Sequence, residues 1–408
     1  MTIRKKTGLG VTGLLMLAGL VAWVIQYREG LVLTHLQNSY SWGLYISTLA
    51  FFVGNAAGGL VLSSMIYLFG VTELKPFARI GALAAFANVT AAMLIVLPDM
   101  GQPFRVINLL LHPQFLSPLI WDIIVLSLYA GLSLTYLVLL MLPDIAAGPF
   151  KGLLPSDPEA FSDRWARRIA PFSLVAAIGI HVVTAWIFAT QGAREWWHSA
   201  VMAPDFVAAA MASGTAFVML IALMAYGLKE GHRQAYRIMA VFIAVCLFIH
   251  LFLMYNDFVI NAWYGNDEAL GALKITLQEN LGVHLYEVLA PLAGVILLLN
   301  RRARERAGVM MTACLLLVSG IFAHRLLIMP AAFNHMPLTI HPFGIQNLSW
   351  PVPVASGRFS PMTDTFVSHY HYFPSAVEIV ITLGVMAYAC FLLIIAIDRL
   401  PILKKADS

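Results

Sequence analysis

Acidic, basic and amide side chains interrupt several long apolar segments of this chain, and such groups exchange protons or bind polar ligands. Charged groups are costly in apolar surroundings, so their presence there indicates a functional site. When the segments are read in alternating directions, most of these residues lie toward one side: Asp122, His250, Asp257, His284, Glu287, His324, Arg325 and Glu378. His181 and Asn88 lie near the middle of their segments. This arrangement predicts a polar pocket in one half of a helix bundle.

The apolar segments that carry these residues are each about 20 residues long, enough to cross the ~30 Å hydrocarbon core of a bilayer. Hydrophobic residues make up 60% of the 408 residues and charged residues 11%, with a mean hydropathy of +0.81. These values exclude a set of soluble domains. In lipid the backbone must satisfy its own hydrogen bonds, which predicts helices. We expect an all-α, polytopic membrane protein with about ten transmembrane helices, near residues 8–26, 43–70, 77–97, 118–142, 169–190, 206–228, 236–258, 282–300, 309–329 and 374–398.

Positive charges divide unequally between the two sides of this predicted arrangement. Of the 25 Lys and Arg residues, 19 lie on the side of the N-terminus, which we call the basic face. The other 6 lie on the opposite side, which we call the loop face. Cytoplasmic loops are enriched in Lys and Arg, so the basic face is predicted to be cytoplasmic. We therefore expect a multi-pass protein of a bacterial inner (cytoplasmic) membrane with both termini in the cytoplasm.

The loop face carries the longer loops, near 27–42, 98–117, 191–205, 259–281 and 330–373. The last has about 44 residues, and loops of that length are usually functional, so the chemistry or a partner is predicted on this side. The chain divides into an N-terminal signal-anchor helix (1–36), a first bundle (37–190), a second bundle (206–329), and the long loop with a final helix (330–408). The GxxxG spacing of Gly54 and Gly58 predicts close helix packing in the second span.

The three cysteines, Cys246, Cys314 and Cys390, lie in apolar segments without the spacing of a metal site. They predict small buried side chains rather than a disulfide or an iron–sulfur cluster in this chain. No metal site is predicted. The net charge of +4 includes no basic stripe of the kind that binds nucleic acid, so membrane lipid is the expected surrounding and nucleic acid is not an expected partner.

Six segments of the chain together form a recognisable pattern: 37–47 (QNSYSWGLYIS), 97–105 (LPDMGQPFR), 109–113 (LLLHP), 181–189 (HVVTAWIFA), 194–199 (REWWHS) and 203–206 (APDF). In this order they resemble the NrfD/PsrC family, the polysulfide reductase membrane subunits, and in particular its longer, ten-helix branch. That branch includes membrane subunits of periplasmic hydrogenase, of a sulfite-reduction complex, of a quinone reductase complex and of alternative complex III. One departure is Gln102, where many relatives are expected to have Arg.

The resemblance implies two four-helix bundles, spans 2–5 and 6–9, with flanking helices. It also implies a quinone-interacting subunit of a respiratory oxidoreductase complex, which exchanges electrons between membrane quinone or menaquinone and a periplasmic iron–sulfur subunit. Quinone would be an exchangeable substrate, with no haem and no iron–sulfur cluster in this chain. No complete active site is expected in the chain alone, and coupling to proton translocation stays open.

A quinone needs an apolar slot for its ring and an acid and a base near its two carbonyl oxygens. The expected quinone-binding residues are Trp42, Tyr45, Asp99, Arg105, His112, Asp122 and Tyr129. Asp99 is the expected proton-exchanging carboxylate, with Arg105 as its orienting partner and His112 or His181 as the second contact. A proton path is predicted through Asn88, His181, His250, His284 and Glu287.

Other interpretations of the sequence remain open at this stage. A passive anchor with a degenerate quinone site would have the same spans. A secondary transporter would have its site near the midplane on broken helices, whereas these polar groups lie toward one side. A di-haem cytochrome needs histidine pairs at matched depths, but His250, His284 and His324 all lie toward the loop face.

Overall fold

The computed structural model describes residues 3–37, 40–146, 156–265, 267–334 and 371–403, together with four two-residue strands between 334 and 371. Two antiparallel pairs are formed by β1 (Thr339–Ile340) with β2 (Trp350–Pro351) and by β3 (Val354–Ala355) with β4 (Phe366–Val367). The rest of the described chain is mainly helical: α1 (Ile3–Glu29), α2 (Leu44–Tyr67), α3 (Ala78–Asp99), α4 (Val106–Leu111), α5 (Pro118–Ala146), α6 (Pro158–Ala189), α7 (Met202–Tyr226), α8 (Arg233–Tyr264), α9 (Asp267–Lys274), α10 (Leu281–Leu299), α11 (Ala307–Phe333) and α12 (Ala376–Arg399).

Within the described ranges, ten helices are long and apolar enough to cross a membrane. They are α1, α2, α3, α5, α6, α7, α8, α10, α11 and α12. The prediction of an all-α polytopic membrane protein with ten spans is confirmed. The short helices α4 and α9 lie in loop-face connections that the sequence predicted to be loops.

Eight of the spans form two rings of four helices. In the first ring α2 packs on α3, α3 on α5, α5 on α6 and α6 on α2. In the second ring α7 packs on α8, α8 on α10, α10 on α11 and α11 on α7. The remaining spans, α1 and α12, pair with each other and pack beside α3. Their basic-face ends are joined by an ion pair of 3.0 Å between Lys5 Nζ and Asp398 Oδ1.

Helix α2 lies at the centre, since it contacts α3 and α6 in its own ring and α7 and α11 in the other. Its glycines allow these contacts. A Cβ on Gly58 would lie 2.1 Å from the carbonyl carbon of Gly214 on α7, and one on Gly59 would lie 2.0 Å from the carbonyl oxygen of Gly81 on α3. Helix α2 therefore meets α3 and α7 backbone to backbone, as small residues in membrane helices permit.

Several predicted boundaries were wrong, among them the end of α8, which is Tyr264 rather than near 258. Helix α6 begins at Pro158 rather than near 169, because its first turns are polar and extend beyond the apolar segment, with Asp157 accepting a hydrogen bond from Ala160 N at the N-cap. Helix α11 continues through Pro330 to Phe333, so the long loop begins later than 330. The final turn of α11 is fixed by the α6–α7 loop, because Arg194 Nη1 donates to Ala332 O at 3.1 Å. Most of the predicted loop 330–373 lies outside the described residues.

We expect Gly59→Ala to destabilise the protein by about 1–3 kcal/mol, because the added methyl group must push α2 away from α3. Thermal unfolding of the purified chain in detergent would measure the loss. Gly131→Ala is the matched control, since Gly131 is also within a span of the first ring and a Cβ there meets nothing within 4 Å. Equal unfolding temperatures for the two variants would contradict the backbone contact.

Candidate functional site

A cavity of about 620 Å³ lies in the loop-face half of the first ring, between α2, α3, α5 and α6. We call it the loop-face cavity. Its walls are mostly aliphatic and aromatic, and its polar lining residues are Trp42, Thr90, Asp99, Asp122, Thr184 and Tyr388. Leu94 and Leu119 also line it, and both side chains are exposed. Because these exposed apolar side chains belong to membrane-spanning helices, lipid would reach the cavity along this side.

Asp122 lies in the cavity wall at the loop-face end of α5 and is buried. Thr184 Oγ1 on α6 is 2.6 Å from Asp122 Oδ1 and 2.7 Å from the carbonyl oxygen of Ile180. A hydroxyl has one proton to donate. It can donate to an ionised Asp122, or it can donate to Ile180 O while a protonated Asp122 donates to it. The pair therefore accommodates Asp122 in either protonation state.

Asp99 is the last residue of α3 and lies in the same cavity wall. Its Oδ1 atom is buried and has no hydrogen-bond partner within the described part of the chain. Gln26 on α1 fixes the preceding turn, because its Nε2 donates to Pro98 O at 2.9 Å. Tyr45 donates to Gln26 Oε1 at 2.6 Å, so Tyr45 supports the position of Asp99 without lining the cavity.

Trp42 forms an aromatic part of the wall and is fixed by other rings. Its indole stacks on Trp197, with centroids 5.8 Å apart and an interplanar angle of 24°, and meets Phe188 edge to face at 5.9 Å. Trp197 is fully buried and donates from Nε1 to Ile328 O at 2.9 Å. The position of Trp42 thus depends on the α6–α7 loop and on α11 of the second ring.

The structure does not bring every predicted quinone-binding residue to this cavity. Tyr129 is fully buried and donates to Ala56 O on α2 at 2.5 Å, so it ties two helices together. Arg105 and His112 lie exposed in the connection between α3 and α5 and are absent from the cavity wall. No ion pair between Asp99 and Arg105 is found among the described residues.

The second ring contains a buried acid–base cluster, also in its loop-face half. His250 Nδ1 lies 2.5 Å from Asp205 Oδ1, and His324 Nε2 lies 3.3 Å from Asp205 Oδ2. His324 Nδ1 is 2.9 Å from Glu287 Oε2, whose other oxygen lies 2.5 Å from His284 Nδ1. We call these five residues the acid–base cluster. They alternate acid and base across α7, α8, α10 and α11.

Arg325 and His181 are less completely paired than the carboxylates of the cluster. The Arg325 guanidinium lies over the Phe206 ring, 3.7 Å from its centroid, and Nη2 donates to Phe206 O at 3.4 Å. Arg325 Nε and Nη1 are buried without hydrogen-bond partners in the described ranges, as is His181 Nε2 on α6. Asn88 donates to Ala84 O in its own helix at 2.8 Å. The described hydrogen bonds do not connect Asn88 or His181 to the acid–base cluster.

A third polar group, formed by Tyr372 and Glu378, lies at the loop-face end of α12. Tyr372 OH donates to Glu378 Oε1 and accepts a hydrogen bond from Leu44 N at 3.0 Å. Burial, followed by the nearby Glu378 carboxylate, raises the pKa of Tyr372 above its ordinary value. The phenol therefore stays protonated. Glu378 also accepts from His35 N and from Ser375 N in a capping box, so it joins α12 to the segment before α2.

Three residues that fix the geometry of these sites were not predicted from the sequence: Asp205, Thr184 and Gln26. Asp205 connects His250 to His324, but the predicted span began at 206 and so placed Asp205 in a loop. Its position in the APDF segment was the available signal. Thr184 and Gln26 carried no signal of their own, because neutral polar residues in spans often bond only within their own helix.

The fold and these sites define an integral membrane protein with a lipid-accessible, carboxylate-lined cavity in one helix ring and a buried acid–base cluster in the other. A family model described as "Polysulphide reductase, NrfD" matches residues 32–337, and the chain belongs to this family.

Relatives of this chain are named as components of reductases. It is 32% identical to a putative dimethyl sulfoxide reductase membrane subunit of Halobacterium salinarum, over 98% of this chain and 92% of the relative. It is 28% identical to a selenate reductase subunit of Mesobacillus selenatarsenatis, over 64% and 66%. It is 25% identical to the Hdr-like menaquinol oxidoreductase integral membrane subunit of Archaeoglobus fulgidus, over 49% and 46%.

We expect Thr184→Val to lower the free energy of unfolding by about 1–3 kcal/mol, because Asp122 loses its buried partner while side-chain shape is retained. Thermal unfolding in detergent would measure this change. Thr135→Val is the matched control, since Thr135 is exposed and its Oγ1 donates only to Gly131 O in its own helix. The control should change stability by less than about 0.5 kcal/mol. An equal effect of both substitutions would mean that the Asp122–Thr184 pair contributes nothing measurable.

Proposed function

We propose that this chain is the quinone-interacting membrane subunit of a respiratory oxidoreductase complex. It would exchange electrons between the quinone pool and a periplasmic iron–sulfur subunit. The loop-face cavity is the proposed quinone site. The observation that carries this proposal is a lipid-accessible apolar cavity whose wall includes two carboxyl side chains, those of Asp99 and Asp122.

The dimensions and lining of the cavity suit a quinone ring. Ligand sites are commonly about 300–1,000 Å³ in volume, mostly apolar and equipped with a few polar groups that fix orientation. The cavity of about 620 Å³ fits this description, and its Leu94–Leu119 side would let a ring enter from lipid. The isoprenoid tail would remain along that apolar side. Trp42 offers a rigid aromatic surface against which a ring can pack.

The chain's own contribution to the reaction would be to handle protons. Oxidation of a quinol releases two electrons and two protons. Asp99 Oδ1 has no hydrogen-bond partner in the described part of the chain, so it is free to accept one from a ligand hydroxyl. Asp122 can gain or lose a proton while it keeps its contact with Thr184. The two acids are therefore the proposed proton acceptors or, in the opposite direction, donors.

Separate observations support the proposed partner and the proposed orientation. The three relatives described above are named as reductase or oxidoreductase subunits, and one name includes menaquinol, which supports a menaquinone substrate. The excess of Lys and Arg on the basic face supports a cytoplasmic position for that face in a bacterial inner membrane. The cavity would then lie near the periplasmic surface, which is where an iron–sulfur protein would dock.

We expect Asp99→Asn to reduce quinol-linked turnover of the assembled complex by at least about 100-fold, the usual effect of losing a proton-transfer group. Turnover would be measured in membranes, and binding of a short-tail naphthoquinone to the purified chain would be measured by calorimetry. Binding should persist, because asparagine keeps the shape and polarity of the side chain.

Asp163→Asn is the control for this experiment. Asp163 forms an exposed ion pair of 3.3 Å with Lys75 at the basic face and should be neutral for turnover. Full turnover of Asp99→Asn would remove Asp99 from the mechanism. Failure of the unmodified chain to bind any quinone would contradict the proposed function itself.

We also propose that the acid–base cluster exchanges protons with the loop face. Its five side chains form a continuous series of contacts, and short acid–base contacts of this kind let protons pass between neighbours. The predicted residues His250, His284 and Glu287 belong to this series. Asn88 and His181 would extend it only through water, because the described hydrogen bonds give them no direct link.

We expect Glu287→Gln to lower the number of protons translocated per electron in sealed vesicles, because glutamine cannot pass a proton between His284 and His324. The rate of quinol oxidation with an uncoupler present should change little, since Glu287 is not in the cavity wall. Glu195→Gln, which changes an acid in the α6–α7 loop, is the control. An unchanged proton-to-electron ratio in Glu287→Gln would exclude the cluster from proton translocation.

A further inference from the structure

The acid–base cluster presents a set of metal-binding atoms that no local sequence spacing reveals. Asp205, His250 and His324 each offer one ligand atom, and all of these atoms lie within 4.8 Å of one another. The residues come from α7, α8 and α11, and their side chains are largely buried. Two imidazole nitrogens and one carboxylate oxygen are a known donor set for zinc sites that keep a fourth position open.

One distance in this set already matches what a metal ion requires. Zinc lies about 2.0–2.2 Å from nitrogen and oxygen ligands, so neighbouring ligand atoms of a tetrahedron are roughly 3.3 Å apart. His324 Nε2 and Asp205 Oδ2 are 3.3 Å apart. His250 Nδ1 lies 2.5 Å from the other carboxylate oxygen, Asp205 Oδ1, and within 4.8 Å of the remaining ligand atoms. Rotation of these side chains would bring both histidines to one ion.

The surroundings orient His324 as a metal ligand. A histidine that binds a metal usually donates its other ring N–H to a carboxylate or carbonyl, which fixes the tautomer and the ring. His324 Nδ1 lies 2.9 Å from Glu287 Oε2, so a proton on Nδ1 leaves the Nε2 lone pair directed at Asp205. Glu287 is itself held by His284 at 2.5 Å.

Space for a fourth ligand lies beside the set. A cavity of about 60 Å³ is lined by Asp205, His324, Ser199 and Asp257, among others. A water molecule occupies about 30 Å³, so this space can hold one. Ser199 Oγ donates to Asp257 Oδ1 at 2.6 Å, which places a further carboxylate between the cluster and the α6–α7 loop. A cation entering from the loop face would pass these groups.

The charges of the region also favour a cation. With neutral histidines, Asp205 and Glu287 contribute two negative charges and Arg325 one positive charge. The net negative charge that remains can be offset by an additional proton on a histidine or by a bound cation. A proton and a metal ion compete for His250 Nδ1 and for His324 Nε2, because a metal ligand must be unprotonated.

We propose that Asp205, His250 and His324 bind one divalent transition-metal ion of the zinc class, in competition with the protons that these side chains otherwise share. The site differs from the sequence prediction of no metal site. It is independent of quinone binding, because none of its ligands lines the loop-face cavity.

The test is calorimetric titration of Zn²⁺ into the chelator-treated full chain in detergent, with metal content measured after removal of free ion. We expect one Zn²⁺ per chain. His250→Gln, His324→Gln and Asp205→Asn should each weaken binding by more than about 100-fold, and Glu287→Gln, which loses the support of His324, by about 10–100-fold. His198→Gln is the matched control, since His198 is an exposed histidine of the α6–α7 loop outside the cluster, and it should change affinity by less than about threefold.

X-ray absorption at the zinc edge of the unmodified chain gives a second readout that does not depend on folding of the variants. Two imidazoles and oxygen ligands at about 2.0–2.2 Å are expected. Absence of tight Zn²⁺ binding would overturn the proposal. Binding that persists in all three ligand variants, or that His198→Gln abolishes instead, would overturn it as well, because the ion would then be held elsewhere.

Discussion

The backbone contact of α2 with α3 and α7 is the constraint on which the rest of the structure depends. Gly59 lets α2 meet α3 at Gly81, and Gly58 lets it meet α7 at Gly214. Without a hydrophobic driving force between helices in lipid, close packing of small residues is a main source of attraction. The first contact sets one wall of the loop-face cavity. The second joins the two rings, so that Trp42 of the first can pack on Trp197, which is held by α11 of the second.

The two polar regions of the loop-face half differ in how completely their groups are paired. Each carboxylate of the acid–base cluster contacts two histidines, so both acids are paired, although His250 Nε2 is buried without a partner in the described ranges. In the loop-face cavity, by contrast, Asp99 Oδ1 is buried without a partner in the described part of the chain. Buried polar groups are costly unless they are hydrogen-bonded. An unsatisfied acid facing an apolar cavity is therefore the stronger indication of an exchangeable ligand, whereas carboxylates paired with histidines indicate protons or a metal ion.

The flanking helices α1 and α12 contribute to the proposed quinone site although they lie wholly outside the region that matches the family. That match covers 32–337, which leaves out α1 and α12. Gln26 of α1 nevertheless fixes the turn before Asp99, and Tyr388 of α12 lines the cavity. The capping box of α12 further joins Glu378 to the chain before α2. Helix α12 thus contributes one residue to the cavity wall, and α1 fixes the turn that carries another.

The sequence by itself determined the all-α class, the ten spans and the half of the protein that holds the ionisable groups. These are local properties, because the length of an apolar run and the charge of the adjoining loop can be read without knowing what a helix touches. The sequence also identified Asp99, Asp122 and Trp42, since an acid or an indole beside an apolar run is conspicuous wherever it packs.

Only the tertiary structure decided which of these residues share a site. Thr184 is 62 positions from Asp122, and His324 is 119 positions from Asp205. The helix packing that joins them also leaves Arg105 and His112 at the surface. Residues at equal depth along different spans look alike in sequence. Which of them meet depends on the rotation of each helix about its axis, and close packing such as the glycine contacts of α2 constrains that rotation.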